Sequence, residues 1–194
     1  MRIEFKDEFR VWTIFFATIF FSTYVHEFGH CIPAWIHGYW AVPTPAKEYM
    51  SQTIPLDLKQ YVSLGGIIGS VVVLLMISIL YLNNNLRFNS VLLAGALAIP
   101  GMYTLRFMLI GRGHDATEFQ EAQSALGLSY SGHSLDWFFM TFFLLGAVMW
   151  IIKSKPSHKI LGRLLIGFVL TFIFVVSLQK VNNAIFDPIL GQVH

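Results

Sequence analysis

The sequence carries little charge and only one cysteine. Charged residues make up 12% of the 194 residues, against about 25% in a typical soluble domain, which excludes an ordinary soluble globular protein. The single cysteine, Cys31, excludes an internal disulfide framework. The formal net charge of +2 is small and the basic residues are scattered, so nothing indicates a nucleic-acid partner.

Long apolar segments are what the sequence does contain, since hydrophobic residues make up 55% of it. Segments of this length, separated by short polar stretches, predict an all-α, polytopic integral membrane protein. No repeat or linker marks a second domain, so residues 1–194 are predicted to form one, and the start of the sequence lacks the features of a cleavable signal peptide. We expect about five transmembrane helices, at about 11–38, 61–82, 90–110, 135–152 and 164–180.

Basic residues indicate how these helices are oriented. Five spans place the N-terminus, the turn after the second span and the loop before the fifth on one side of the membrane. That side collects eight of the 13 basic residues and is predicted to be cytoplasmic. We therefore expect a multi-pass protein of the cell membrane with a cytoplasmic N-terminus. The eight residues are Arg2, Lys6, Arg10, Arg87, Lys153, Lys155, Lys159 and Arg163.

The first apolar segment ends in a cluster of ionisable residues. His26 and His30 are four residues apart, so on a helix their imidazoles share one face and can bind one metal ion. Glu27 can reach a water on that metal and act as its general base, as in H-E-x-x-H zinc hydrolases. Each ionisable group at membrane depth costs about 2.5–3.5 kcal/mol, which favours a functional role over a chance pentapeptide. Cys31 lies about 100° around the helix from His30, which is more typical of a packing residue than of a ligand.

The motif continues with small residues at four-residue intervals, Ala34 and Gly38. The stretch from His26 to Gly38 resembles the H-E-x-G-H-x-x-x-A-x-x-x-G pattern of the site-2 protease family, the intramembrane zinc metalloproteases. Gly29 and Ala34 allow another helix to approach closely, and Gly38 can end the helix in a left-handed conformation.

The next two segments also bear on this resemblance. Residues 39–60 contain three prolines and two short β-prone pieces, 39–43 and 49–54. Family resemblance implies an extended element that can hold substrate as an added strand, whereas the composition equally fits an amphipathic loop at the membrane interface. The second span opens with Gly65, Gly66 and Gly69, a face on which helix backbones can meet. Ser70 stands near the place where family members carry an asparagine.

A tetrahedral catalytic zinc needs a third protein ligand beside the two histidines. The resemblance implies an aspartate next to a glycine late in the core, and Asp115 is the matching residue. His114 and Glu118 are alternative ligands, and Asp115 could instead only N-cap a helix over residues 116–125. Because the first and third spans run in the same direction, their ends emerge on the same side of the membrane. The positions of His26, His30 and Asp115 in the chain are therefore compatible with one site.

The resemblance implies a three-helix catalytic core that binds one Zn²⁺ per chain. It also implies an activity, hydrolysis of a peptide bond in or near a transmembrane segment of a membrane-protein or peptide substrate in the lipid bilayer. Two alternatives use the same residues differently: a membrane-embedded zinc hydrolase of a lipid or small amide, and a non-enzymatic metal-binding or transport protein, which would not need Glu27. The sequence leaves the oligomeric state open.

Overall fold

A computed structural model describes residues 5–83, 88–111, 114–128, 133–155 and 158–191. These ranges contain six helices and one two-stranded hairpin, so the predicted helical class is confirmed. The elements are α1 (Phe5–Ile36), β1 (Ala41–Thr44), β2 (Lys47–Met50), α2 (Leu56–Asn83), α3 (Asn89–Ile110), α4 (His114–Ala125), α5 (Ser134–Ser154) and α6 (His158–Leu190).

Each of the five helices that correspond to the predicted spans is longer than its span, most of all α2 and α6. α2 begins at Leu56 instead of residue 61, because Pro55 is suited to a helix start and its carbonyl accepts the first backbone hydrogen bonds of the helix. α6 ends at Leu190 instead of residue 180. Its polar residues around position 182 are compatible with a helix, and Pro188 lies within its last turn, shortly before the helix ends.

Four helices are long and apolar enough to cross a membrane: α2, α3, α5 and the Leu165–Leu190 part of α6. α1 is not among them, although it has 32 residues. The ionisable residues of its last third lower its mean hydropathy. That α1 also crosses the membrane, which would bring the number of spans to five, therefore stays a prediction.

α1 lies at the centre of the helix packing. It runs antiparallel to α2, with Gly29 against Gly65 and Val25 against Gly69. It runs parallel to α3: Gly95, early in α3, faces Phe15 of α1, and Asp115, shortly after α3, lies beside His26 further along α1. The C-terminal ends of α1 and α3 consequently lie at the same end of the bundle, as the order of the predicted spans requires.

The hairpin covers that end of the bundle. Gly38, with φ +78°, follows α1 in the left-handed conformation expected for it. The two strands are antiparallel, and β2 begins at Lys47, two residues before the β-prone piece predicted there. A small apolar core of Cys31, Ala34, Ala41, Ile54, Leu58 and Val62 joins the hairpin to α1 and α2.

The outer face of the hairpin contacts the end of α6. The Tyr49 hydroxyl donates a hydrogen bond to Asp187 Oδ1 at 2.6 Å, and Lys47 Nζ lies 3.3 Å from the same oxygen. Burial and the neighbouring carboxylate raise the pKa of Tyr49 to about 12. The phenol therefore remains protonated near neutral pH and can donate this hydrogen bond.

Candidate metal centre

The glycines of α2 bring the backbones of α1 and α2 into contact at the level of the histidines. A Cβ placed on Gly65 would lie 2.2 Å from the Gly29 carbonyl oxygen, and the reverse distance is the same. A Cβ on Gly66 would lie 2.2 Å from His30 Nε2. The glycine face thus permits the close crossing and leaves room for the imidazole.

Three potential ligand atoms converge beside this crossing. His26 Nε2 lies 3.2 Å from His30 Nε2 and 3.3 Å from Asp115 Oδ2, and the ligand atoms of the three residues all lie within 4.8 Å of one another. Zinc–ligand bonds of about 2.0–2.2 Å place the ligands of a tetrahedral site roughly 3.3–3.6 Å apart. The two distances from His26 Nε2 are close to this range, and two imidazoles with one carboxylate are a donor set that suits zinc.

The other ring nitrogen of each histidine is held by α2. His30 Nδ1 lies 2.7 Å from the Val62 carbonyl oxygen. Because a carbonyl only accepts, a neutral His30 carries its proton on Nδ1 and presents the Nε2 lone pair to the site. His26 Nδ1 lies 2.9 Å from Ser70 Oγ. Such contacts fix the orientation and tautomer of metal-binding histidines.

Asp115 lies in the first turn of α4 and is 6% exposed. From there its carboxylate approaches the histidines. α4 is held in place by the Tyr103 hydroxyl of α3, which accepts a hydrogen bond from the Ala116 backbone at 3.0 Å, and by a hydrogen bond from Gln123 to Gln60 of α2. Because α4 starts at His114, Asp115 lies within the helix and does not precede it as an N-cap.

Neither alternative third ligand, His114 or Glu118, is placed beside the histidines in the described part of the structure. Glu118 is exposed, and it belongs to neither of the two groups of possible ligands found among the described residues. The side chain of His114 lies outside the described part of the structure. Cys31 is fully buried in the apolar core and is likewise in neither group.

No family model, curated protein or solved structure matches the chain. The likeness to site-2 proteases is therefore a likeness of motif, carried by the residues from His26 to Gly38. What the site can do chemically has to be argued from its own geometry.

A second carboxylate accompanies the motif glutamate. Glu27 is 8% exposed, and its carboxylate lies within 4.8 Å of ligand atoms of both His30 and Glu48. Glu48 comes from β2, where it pairs with Pro43. Sequence reasoning missed Glu48, because its place beside Glu27 depends on the hairpin register and on how the hairpin packs against α1. The site thus combines two histidines, one aspartate and a pair of glutamates.

The room that Gly66 leaves for His30 can be tested. We expect Gly66→Ala to displace the imidazole, because the new Cβ would overlap Nε2, and hence to reduce the zinc bound per purified chain. Gly162→Ala is the matched control, since a Cβ there meets no atom within 4 Å. Zinc content by atomic absorption and the thermal unfolding temperature are measured for both. Full zinc content in Gly66→Ala would show that His30 does not bind the metal in the observed orientation.

Proposed function

We propose that the protein is a multi-pass integral membrane zinc metalloprotease that hydrolyses a peptide bond in or near a transmembrane segment of its substrate. One observation carries the proposal: ligand atoms of His26, His30 and Asp115 lie within 4.8 Å of one another, and His26 Nε2 is 3.2 Å from His30 Nε2 and 3.3 Å from Asp115 Oδ2. The buried carboxylate of Glu27 lies next to them. Four helices apolar enough to span a membrane support the membrane location.

The residues divide the chemistry between them. Zinc held by the two histidines and Asp115 would supply a Lewis acid that polarises the scissile carbonyl and acidifies water. Glu27 accepts the proton of the attacking water, whose oxygen forms the new bond to the carbonyl carbon. When the carbon–nitrogen bond breaks, Glu27 donates that proton to the leaving nitrogen. Ser70 and the Val62 carbonyl hold the imidazoles in position.

The position of the site suits a substrate that is partly unwound. The metal centre lies towards the end of the bundle covered by the hairpin, and a transmembrane helix hides its carbonyls in internal hydrogen bonds. Its scissile segment must therefore become extended before water can attack. A site towards the end of the bundle favours cleavage near the border of the substrate's apolar segment.

The test uses the purified full chain in detergent. We expect about one zinc per chain, cleavage of at least one peptide from a panel of membrane-spanning sequences, loss of cleavage with a chelator and recovery when zinc is restored. Lipid amides and esters are assayed in parallel. Zinc-dependent hydrolysis of a lipid without peptide cleavage would replace the protease by a lipid hydrolase, and zinc binding without any hydrolysis would favour a binding or transport role.

A further inference from the structure

α6 carries a buried polar side chain that the proposed mechanism does not use. Asn182 is 2% exposed, and neither its Nδ2 nor its Oδ1 has a hydrogen-bond partner among the described residues. A buried amide without partners costs free energy, because it has given up its hydrogen bonds to water. Helix packing alone therefore does not explain why an asparagine stands at this position.

Asn182 lies on the face of α6 that is turned towards α1. Phe174 of this face packs against Phe16, with the ring centroids 5.1 Å apart. Asn182 follows Phe174 by eight residues, a spacing that keeps two side chains on one face of a helix. The exposed neighbours Gln179 and Val181 point elsewhere.

The contacts of α6 also show at which level along the bundle axis Asn182 lies. α6 runs in the same direction as α1: Arg163 Nη2 lies 2.6 Å from Glu8 Oε1, and further along Phe174 meets Phe16. The numbers of these paired residues differ by 155 and 158. Since both helices rise equally per residue, Asn182 lies level with residues 24–27 of α1, the level of the metal centre.

A second contact supports the same depth from the other end of α6. Asp187, five residues after Asn182, accepts the hydrogen bond from Tyr49 of β2. The neighbouring residue of that strand, Glu48, approaches Glu27. Asn182 is therefore within little more than one helical turn of the hairpin that borders the site.

A primary amide donates through its nitrogen and accepts through its oxygen, which is the same combination that a peptide bond offers. It can therefore pair with the N–H and C=O groups of an extended chain, whereas the site's carboxylates only accept. We propose that Asn182 binds the backbone of the unwound substrate segment at the level of the metal centre. This inference deepens the proposed function and rests on it for the nature of the substrate.

The test separates peptide binding from cleavage. In the Glu27→Gln background, which holds the peptide uncleaved, the affinity for a fluorescent membrane-spanning peptide is compared with and without Asn182→Leu. Leucine fills a similar volume but makes no hydrogen bonds. Loss of hydrogen bonds to the substrate is expected to weaken peptide affinity roughly 10- to 100-fold, while zinc content is unchanged and the unfolding temperature does not fall. Gln179→Leu, on an exposed face of the same helix, is expected to change none of these quantities.

The outcomes distinguish the inference from the proposed function. Unchanged peptide affinity in Asn182→Leu overturns the inference, as does a fall in unfolding temperature or zinc content, because the amide would then be structural. A peptide that binds neither protein also overturns it. If a Glu27-intact protein cleaves no peptide but Asn182→Leu still weakens peptide binding, the proposed protease activity fails and the binding role of Asn182 stands.

Discussion

Glu27→Gln is expected to retain zinc and to lose roughly 10²–10⁴-fold in peptide cleavage, the range that a positioned general base contributes. Glutamine has nearly the shape of glutamate, so the packing beside His30 and Glu48 is preserved. It cannot accept a proton from water. The measurement is the turnover of a membrane-spanning peptide by purified protein whose zinc content has been determined on the same sample.

Glu8→Gln is the matched control for this substitution. Glu8 lies on the same helix, far from the metal centre, and its carboxylate is engaged with Arg163 at the protein surface. The control is expected to cleave at the wild-type rate. If Glu27→Gln cleaves equally well, Glu27 is not the base, and a role in metal binding or transport becomes the better account of the two histidines.

The sequence predicted the part of the site that depends on local geometry. His26, Glu27 and His30 lie within two turns of one helix, so their relation follows from helical spacing alone. The prediction that Asp115 is the third ligand rests on the resemblance and on the order of the spans, which places the ends of α1 and α3 at one end of the bundle. The structure brings its carboxylate oxygen to within 3.3 Å of His26 Nε2.

The missed residues depend on relations between elements. Ser70 was noted only for the asparagine it replaces, and its hydrogen bond to His26 follows from the exact depth at which α2 crosses α1. Val62 contributes a backbone carbonyl, which has no sequence signature. Glu48 depends on the hairpin register. Asn182 lies beyond residue 180, the predicted end of the last span.

Asp115→Ala is expected to weaken zinc binding by more than the roughly 10- to 100-fold that outer-shell substitutions cost. The carboxylate oxygen 3.3 Å from His26 Nε2 is removed, and two imidazoles alone do not complete a three-ligand zinc site. Zinc affinity is measured by competition with a chromophoric chelator. The fold is expected to persist, because α4 keeps its contacts to Tyr103 and Gln60.

Three variants together decide the identity of the third ligand. His114→Ala and Glu118→Ala remove the alternative ligands, and both are expected to bind zinc with wild-type affinity. Loss of zinc in Glu118→Ala combined with its retention in Asp115→Ala would assign the ligand to Glu118 and imply that α4 rotates when metal binds, because Glu118 is exposed in the observed arrangement. Loss in Asp115→Ala alone would mean that the first turn of α4 completes a site otherwise built at the crossing of α1 and α2, which makes the docking of α4 a requirement for metal binding.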